Sequence, residues 1–274
     1  MEDNEYIESF YSKIAEQSKY VKVLDVRIIK QMAELFEGKR KLIKYGHDEV
    51  DDALKMALDF YKDYNFEYYQ IIIDSIQNGE IDLHSDCNKV DTSNNKCYIK
   101  SVGNDSDLFI IVHEFAHFID RKTNIIDDEY HFFSEVVSLY MEKMLEKYLE
   151  ERNLCPNLIK ARKSNRIRFE RDMLRTMSYE LYYEELFKEN PDKVKENIDM
   201  EKLKYIMAYD SDNLVNYYIR YPIGNILSEY MLKHPEIKFE PKLSDELSKI
   251  YFSKLVDDYS EKKRTKKKIL YADI

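Results

Sequence analysis

The segment Leu108-Phe109-Ile110-Ile111-Val112-His113-Glu114-Phe115-Ala116-His117 constrains this chain more than any other. Five consecutive apolar residues leave no polar stripe, so a helix here is buried rather than laid on a surface. The same helix nevertheless carries two histidines and a glutamate. Positions i and i+4 of a helix share a face, so His113 and His117 point the same way from a buried element. Two imidazoles presented together, with a glutamate beside the first, form the H-E-x-x-H arrangement: the histidines hold a zinc ion and the glutamate acts as general base. With only six histidines in 274 residues, such a pair rarely arises by chance. The competing reading is two histidines satisfied by backbone carbonyls.

A catalytic zinc takes three protein ligands and keeps one open position. Glu135 is the leading candidate for the third. It lies in Phe133-Ser134-Glu135-Val136-Val137-Ser138, where apolar flanks turn the carboxylate inward and so require a partner for it. A short loop at residues 124–128 would fold its helix back antiparallel to the first. His131, Asp120 and Asp128 are the alternatives, and a buried salt bridge is the non-metal reading of Glu135. A metal-bound histidine donates its other N–H to an outer acceptor. Glu142, seven residues after Glu135 on the same helix face, suits that task for His113 or His117.

Around this centre the chain reads as mainly α with a small β-sheet or ribbon. Gly and Pro number five each, few for this length, and helix formers abound. Apolar residues recur at helical spacing up to about residue 80. Residues 80–107 are richer in Asp, Asn, Ser and Lys. Short extended segments are expected there at 80–84 and 96–102, with a turn at Asn94-Asn95 and a loop before a cap at Ser106 or Asp107. Further helices are expected at 130–152, over 156–208 with a break near Asn190-Pro191, from the tyrosine-rich stretch to about 234, and to about 268. These give three regions: 1–80 helical, 81–235 the core around the motif, and 236–274 a C-terminal helical segment packed on it.

Composition excludes some functions. The net charge of −10 disfavours general nucleic-acid binding. The basic run Lys262-Lys263-Arg264 with Lys266-Lys267-Lys268 reads as a solvated helix end. No segment has the apolar length of a membrane helix and no signal peptide is visible, so a cytoplasmic location is expected. Cys87, Cys97 and Cys155 do not make a zinc pattern and are expected as reduced thiols, with a Cys87–Cys97 disulfide as the alternative.

Three blocks, in order, resemble the catalytic region of the thimet oligopeptidase and oligoendopeptidase F family of zinc metallopeptidases, which are of the gluzincin type. The first runs from Cys97-Tyr98-Ile99-Lys100 through Asp107-Leu108-Phe109 to His117, similar to the family's strand, loop and L-F-x-x-x-H-E-x-G-H, with Ala116 in place of the Gly. The second, Phe133-Ser134-Glu135-Val136-Val137-Ser138 with Glu142, is similar to F-x-E-x-x-S-x-x-x-E. The third, Asn216-Tyr217-Tyr218-Ile219-Arg220-Tyr221-Pro222-Ile223-Gly224, is similar to the family's tyrosine-rich segment.

The resemblance implies a zincin-like catalytic domain and one Zn2+ held by His113, His117 and Glu135. It also implies Glu142 behind a ligand histidine, and Tyr221 with Tyr217 (or Tyr218) stabilising the oxyanion. Tyr98, Ile99 and Lys100 would pair with the substrate backbone by strand addition. The expected activity is hydrolysis of peptide bonds in a peptide or protein substrate, with Glu114 as general base. The family's N-terminal half, which roofs the cleft, is expected to be absent or much reduced here, leaving a more open site. The family also has a histidine before the tyrosines, and residues 205–216 contain none. A zinc-binding regulatory protein without turnover, and a protease dedicated to one protein, are the alternatives. The sequence is silent on oligomeric state.

Overall fold

The structure is a computed structural model that describes residues 5, 7–12, 42–91, 94–123, 134–201, 203 and 220–233. These are mainly helical, with one small three-stranded sheet. The chain divides into two compact units that interleave along the sequence. One comprises Met1–Lys39, Arg168–Pro222 and Leu243–Ile274; the other comprises Arg40–Ile167 and Ile223–Lys242. No helix among the described residues is long and apolar enough to cross a membrane.

The second of these units holds the H-E-x-x-H segment. It begins with α1 (Ala53–Tyr64) and α2 (Phe66–Gln77), joined by one residue. Asp52 caps α1 by accepting from the Lys55 N–H at 2.9 Å. Asn65 ends α1 and starts α2, donating its N–H to the Tyr61 carbonyl and accepting with its side chain from Glu67 and Tyr68. Gly79 takes φ 69 at the end of α2, a conformation glycine adopts at no steric cost.

The sheet contains β1 (Ile81–Asp82), β2 (Lys89–Asp91) and β3 (Lys96–Tyr98) in the order β1-β3-β2. β1 runs parallel to β3 and β2 antiparallel to it. The expected turn lies between β2 and β3, where Asn95 takes φ 57 and the Asn94 side chain accepts from the Lys96 N–H. β2 has no expectation behind it in the sequence, because three residues reading Lys-Val-Asp are too short to show a period of two.

The long helix α3 (Asp107–Thr123) runs through the middle of the unit, packing on α4, α1, α2 and the sheet. Leu108, Phe109, Val112, Phe115 and Phe118 are fully buried, as the apolar run requires. The Asp107 carboxylate fixes the preceding loop by accepting from the N–H groups of Val102 and Gly103 and from the Ser101 hydroxyl. Placed in the first turn, it also complements the helix dipole. Inside α3, the Val112 carbonyl accepts from the buried Tyr61 hydroxyl at 2.9 Å.

α4 (Ser134–Glu151) packs against α3 more extensively than any other element does. α5 (Pro156–Glu189) follows, and the unit boundary falls within it at Arg168. Its first turn is capped from a distance: the Glu49 carboxylate accepts from the N–H groups of Asn157 at 3.1 Å and Leu158 at 2.7 Å. Glu49→Ala therefore leaves two helix-terminal donors without this anion. It is expected to cost about 1–2 kcal/mol in urea unfolding.

The other unit has its own small core of Phe10, Tyr183, Val194 and Leu203, with the Phe10 ring edge-on to Tyr183 at 5.3 Å. Asn190 caps α6 (Pro191–Glu196), with Pro191 at its first position, which accounts for the expected break there. The last described helix is α7 (Arg220–Lys233).

All three cysteines are free, so the alternative Cys87–Cys97 pairing is not formed; Cys97 is buried in β3 and Cys87 is exposed. The C-terminal basic run, and the helices expected after residue 234, lie outside the described residues.

Candidate metal centre

α4 buries four ionisable side chains, Glu135, Glu142, Lys143 and Glu146. Burying a charge is costly unless it is paired, and each of the four is paired. Glu146 receives Arg166 at 2.7 and 3.1 Å. The Lys143 ammonium donates to the Asn225 carbonyl at 2.6 Å and the Ser228 hydroxyl at 2.7 Å, tying the α7 segment to α4. Glu135 and Glu142 turn toward α3.

There, three atoms converge. His113 Nε2 and His117 Nε2 are 3.1 Å apart. Glu135 Oε2 is 3.2 Å from the first and 3.3 Å from the second. Ligand atoms around a tetrahedral ion with bonds of about 2.0 Å stand about 3.3 Å apart, so the triangle already has the edge lengths of half a zinc tetrahedron. These are the only three His, Cys, Asp or Glu side chains among the described residues that converge so as to hold a metal. Asp120, one of the alternatives, is one turn beyond His117 on α3 and is not in the cluster; His131 and Asp128 lie outside the described residues.

The protonation pattern follows from the surroundings. Glu142 is fully buried, which opposes its charge, yet Arg162 and His113 outweigh burial and hold its carboxyl at about 2. An ionised Glu142 can only accept, so the 2.8 Å contact to His113 Nδ1 is an N–H donated by the imidazole. In the neutral ring this tautomer leaves the Nε2 lone pair on the ligand point. Glu135 is also buried but is held well below the usual carboxylate range by the two imidazoles. Its Oε2 lies 3.3 Å from the Ser138 hydroxyl. Burial works against a charged His113, but Glu135 and Glu142 push it up to about 10. At neutral pH a proton on His113 Nε2 therefore occupies the direction in which a cation would be bound.

Glu114 sits on the adjoining face of α3 and is 8% exposed. Burial raises its pKa against the pull of His113 and His117. Its backbone carbonyl lies 3.8 Å from the buried Cys97 thiol.

Gly224 sets how closely α7 approaches. A Cβ there would stand 2.9 Å from the backbone carbon, carbonyl oxygen and Cβ of Glu135. None of these is the flexible end of a side chain, so Gly224→Ala would force α7 and the Glu135 backbone apart. The expected outcome is a stability loss of about 1–3 kcal/mol in thermal unfolding.

The strand expected to bind substrate is already paired on both sides. β3 is the middle strand, so Tyr98 has neighbours on both sides and no open edge. The Ile99 N–H donates to the Asp82 carbonyl at 2.8 Å and its carbonyl accepts from Ser85 at 3.2 Å. The Lys100 N–H donates to the Asn88 side chain at 2.7 Å. Strand addition would have to break these bonds. Tyr221 lies in the first turn of α7, within the other unit, where its ring meets Phe169 edge-on at 5.8 Å. Tyr217 and Tyr218 lie outside the described residues.

One contributor escaped the sequence reading. Arg162 donates to Glu142 Oε2 from Nε at 3.1 Å and Nη2 at 2.5 Å. The signal was present as a pair of spacings: Glu142 and Glu146 are four apart, as are Arg162 and Arg166.

Compared with known protein families, curated proteins and solved structures, the chain matches none.

Proposed function

We propose that this protein is a zinc-dependent peptidase of the zincin-like, gluzincin kind that its sequence motifs resemble, hydrolysing peptide bonds with Glu114 as general base. The observation that carries this reading is the triangle of His113 Nε2, His117 Nε2 and Glu135 Oε2, spaced at 3.1–3.3 Å. Two imidazoles and one carboxylate at tetrahedral spacing suit Zn2+, and Mn2+ or Co2+ could take the same donors. A purely structural zinc is closed by a fourth protein ligand, and none converges here among the described residues.

Bound zinc supplies Lewis acidity, lowering the pKa of water toward neutrality and polarising the scissile carbonyl. The residues supply the rest. The Glu114 carboxylate takes the proton of the attacking water and hands it to the leaving amine nitrogen. Its raised pKa brings it nearer the working pH, where such a base is most effective. Glu142 keeps the His113 Nδ1–H in place, so that His113 serves as a ligand and not as the base. Tyr221 and Tyr217 retain, on sequence grounds, the oxyanion role that the resemblance implies. A cytoplasmic setting likewise belongs to the sequence-based part of the proposal.

The test is a metal analysis of the purified full chain, together with a mass-spectrometric cleavage profile on a peptide library and a denatured proteome, with and without chelator. Stoichiometric zinc and chelator-sensitive cleavage are expected. Bound zinc with no cleavage of any substrate would replace the reading with a regulatory zinc protein. Cleavage of a single protein would narrow it to a dedicated protease.

A further inference from the structure

We propose that Arg162 is a positioning residue of the metal site, acting through Glu142 to hold the His113 imidazole with its Nε2 directed at the ligand point. The inference rests on the peptidase reading only in taking that point as a metal site.

Glu142 is 0% exposed and divides its two oxygens between two partners. Oε1 receives the His113 Nδ1–H at 2.8 Å; Oε2 receives Arg162 from two nitrogens at 3.1 and 2.5 Å. A carboxylate engaged on both oxygens cannot turn about its bond to Cγ, so the plane that faces His113 is fixed by the guanidinium behind it. Arg162 is itself restrained, with its guanidinium 5.4 Å from the Phe109 ring centre. Removing it would leave Oε2 buried and facing only the Arg166 guanidinium, 3.9 Å away. The carboxylate would then be free to turn away from Nδ1, and the imidazole would lose the acceptor that fixes the direction of its Nε2.

A general stabilising role is a separate idea, and the fold contains its own control. Arg166 forms the next rung of the same ladder, pairing with Glu146 at 2.7 Å and standing 3.9 Å from Glu142. Glu146 makes no contact with a metal ligand among the described residues. A residue that merely pins α5 to α4 should therefore be matched in effect by Arg166, whereas a positioning residue should not.

The experiment uses the full chain as parent, Arg162→Gln, Arg162→Lys and Arg166→Gln. Zinc affinity is read by competition with a chelating dye, and the hydrogen-bonded His113 Nδ1–H by 15N NMR of the metal-free protein. Arg162→Gln is expected to weaken zinc binding by about 10- to 100-fold and to abolish the hydrogen-bonded Nδ1–H signal. Arg162→Lys should recover part of both. Arg166→Gln should match the parent. Parental affinity and an intact Nδ1–H signal in Arg162→Gln would overturn the proposal, as would equal losses in the two glutamine variants. If Arg162→Gln does not fold, Arg162→Lys decides: it keeps the charge but loses the two-nitrogen fork, and parental behaviour in both readouts would overturn the proposal. If the parent itself binds no zinc, the peptidase reading fails, while the metal-free NMR comparison still decides this inference.

Discussion

Glu114→Gln will lower peptide hydrolysis by about 10²- to 10⁴-fold while the protein keeps its zinc. The range is that of losing a positioned general base. The substitution is close to isosteric and removes only the ability to take a proton. Glu114 is not one of the three converging donors, so the metal triangle is left whole. Its backbone carbonyl, which faces the Cys97 thiol, is also unchanged. Burial already disfavours its charge, so a neutral amide there removes a desolvation cost. Turnover on the best library peptide and zinc content by mass spectrometry, measured on one preparation, check the result. Near-parental turnover with zinc bound would remove Glu114 from the mechanism.

Zinc affinity will rise about tenfold per pH unit through the neutral range. In the metal-free protein His113 is pushed up to about 10 by its two carboxylates, so at neutral pH zinc must displace a proton from it. The displaced proton becomes tenfold scarcer with each unit, and the gain levels off near pH 10. The stability of the metal-free protein runs the other way. A raised folded-state pKa stabilises fully below the unfolded value, about 6.5, and that contribution is lost as pH rises toward about 10. Glu135 and Glu142 are depressed, so their contributions are present above the unfolded carboxylate range and are lost on acidification, for Glu142 through about pH 2. The thermal shift caused by zinc should therefore widen between pH 6.5 and 10. Calorimetry in buffers of differing ionisation enthalpy should show release of about one proton at neutral pH. A pH-independent affinity would mean that His113 is not held protonated.

What the sequence made legible was the local part of the site. His113 and His117 are linked by helical spacing alone, and Glu135 stood out because a carboxylate among Val and Phe neighbours must face a partner. Glu142 followed from the same helix face. Arg162 was obscured because it shares its helix with Lys160, Lys163, Arg166, Arg168 and Arg171, and the spacing alone does not tell which guanidinium meets Glu142. The middle position of β3 was also out of reach. Strand order is set by contacts between segments, and here β1 reaches β3 in parallel past the intervening β2. The closeness of Gly224 to Glu135 joins residues 89 apart (224 − 135).

The interleaving of the two units limits how the protein can be dissected. The chain passes between them four times, so neither unit can be cut out as one continuous fragment. A fragment of residues 40–167 carries every member of the metal centre, yet it lacks Gly224, Asn225 and Ser228. It would take from the buried Lys143 ammonium two of its acceptors, the Asn225 carbonyl and the Ser228 hydroxyl. Such a fragment should need α7 returned as a separate peptide, making zinc binding a readout of fragment complementation.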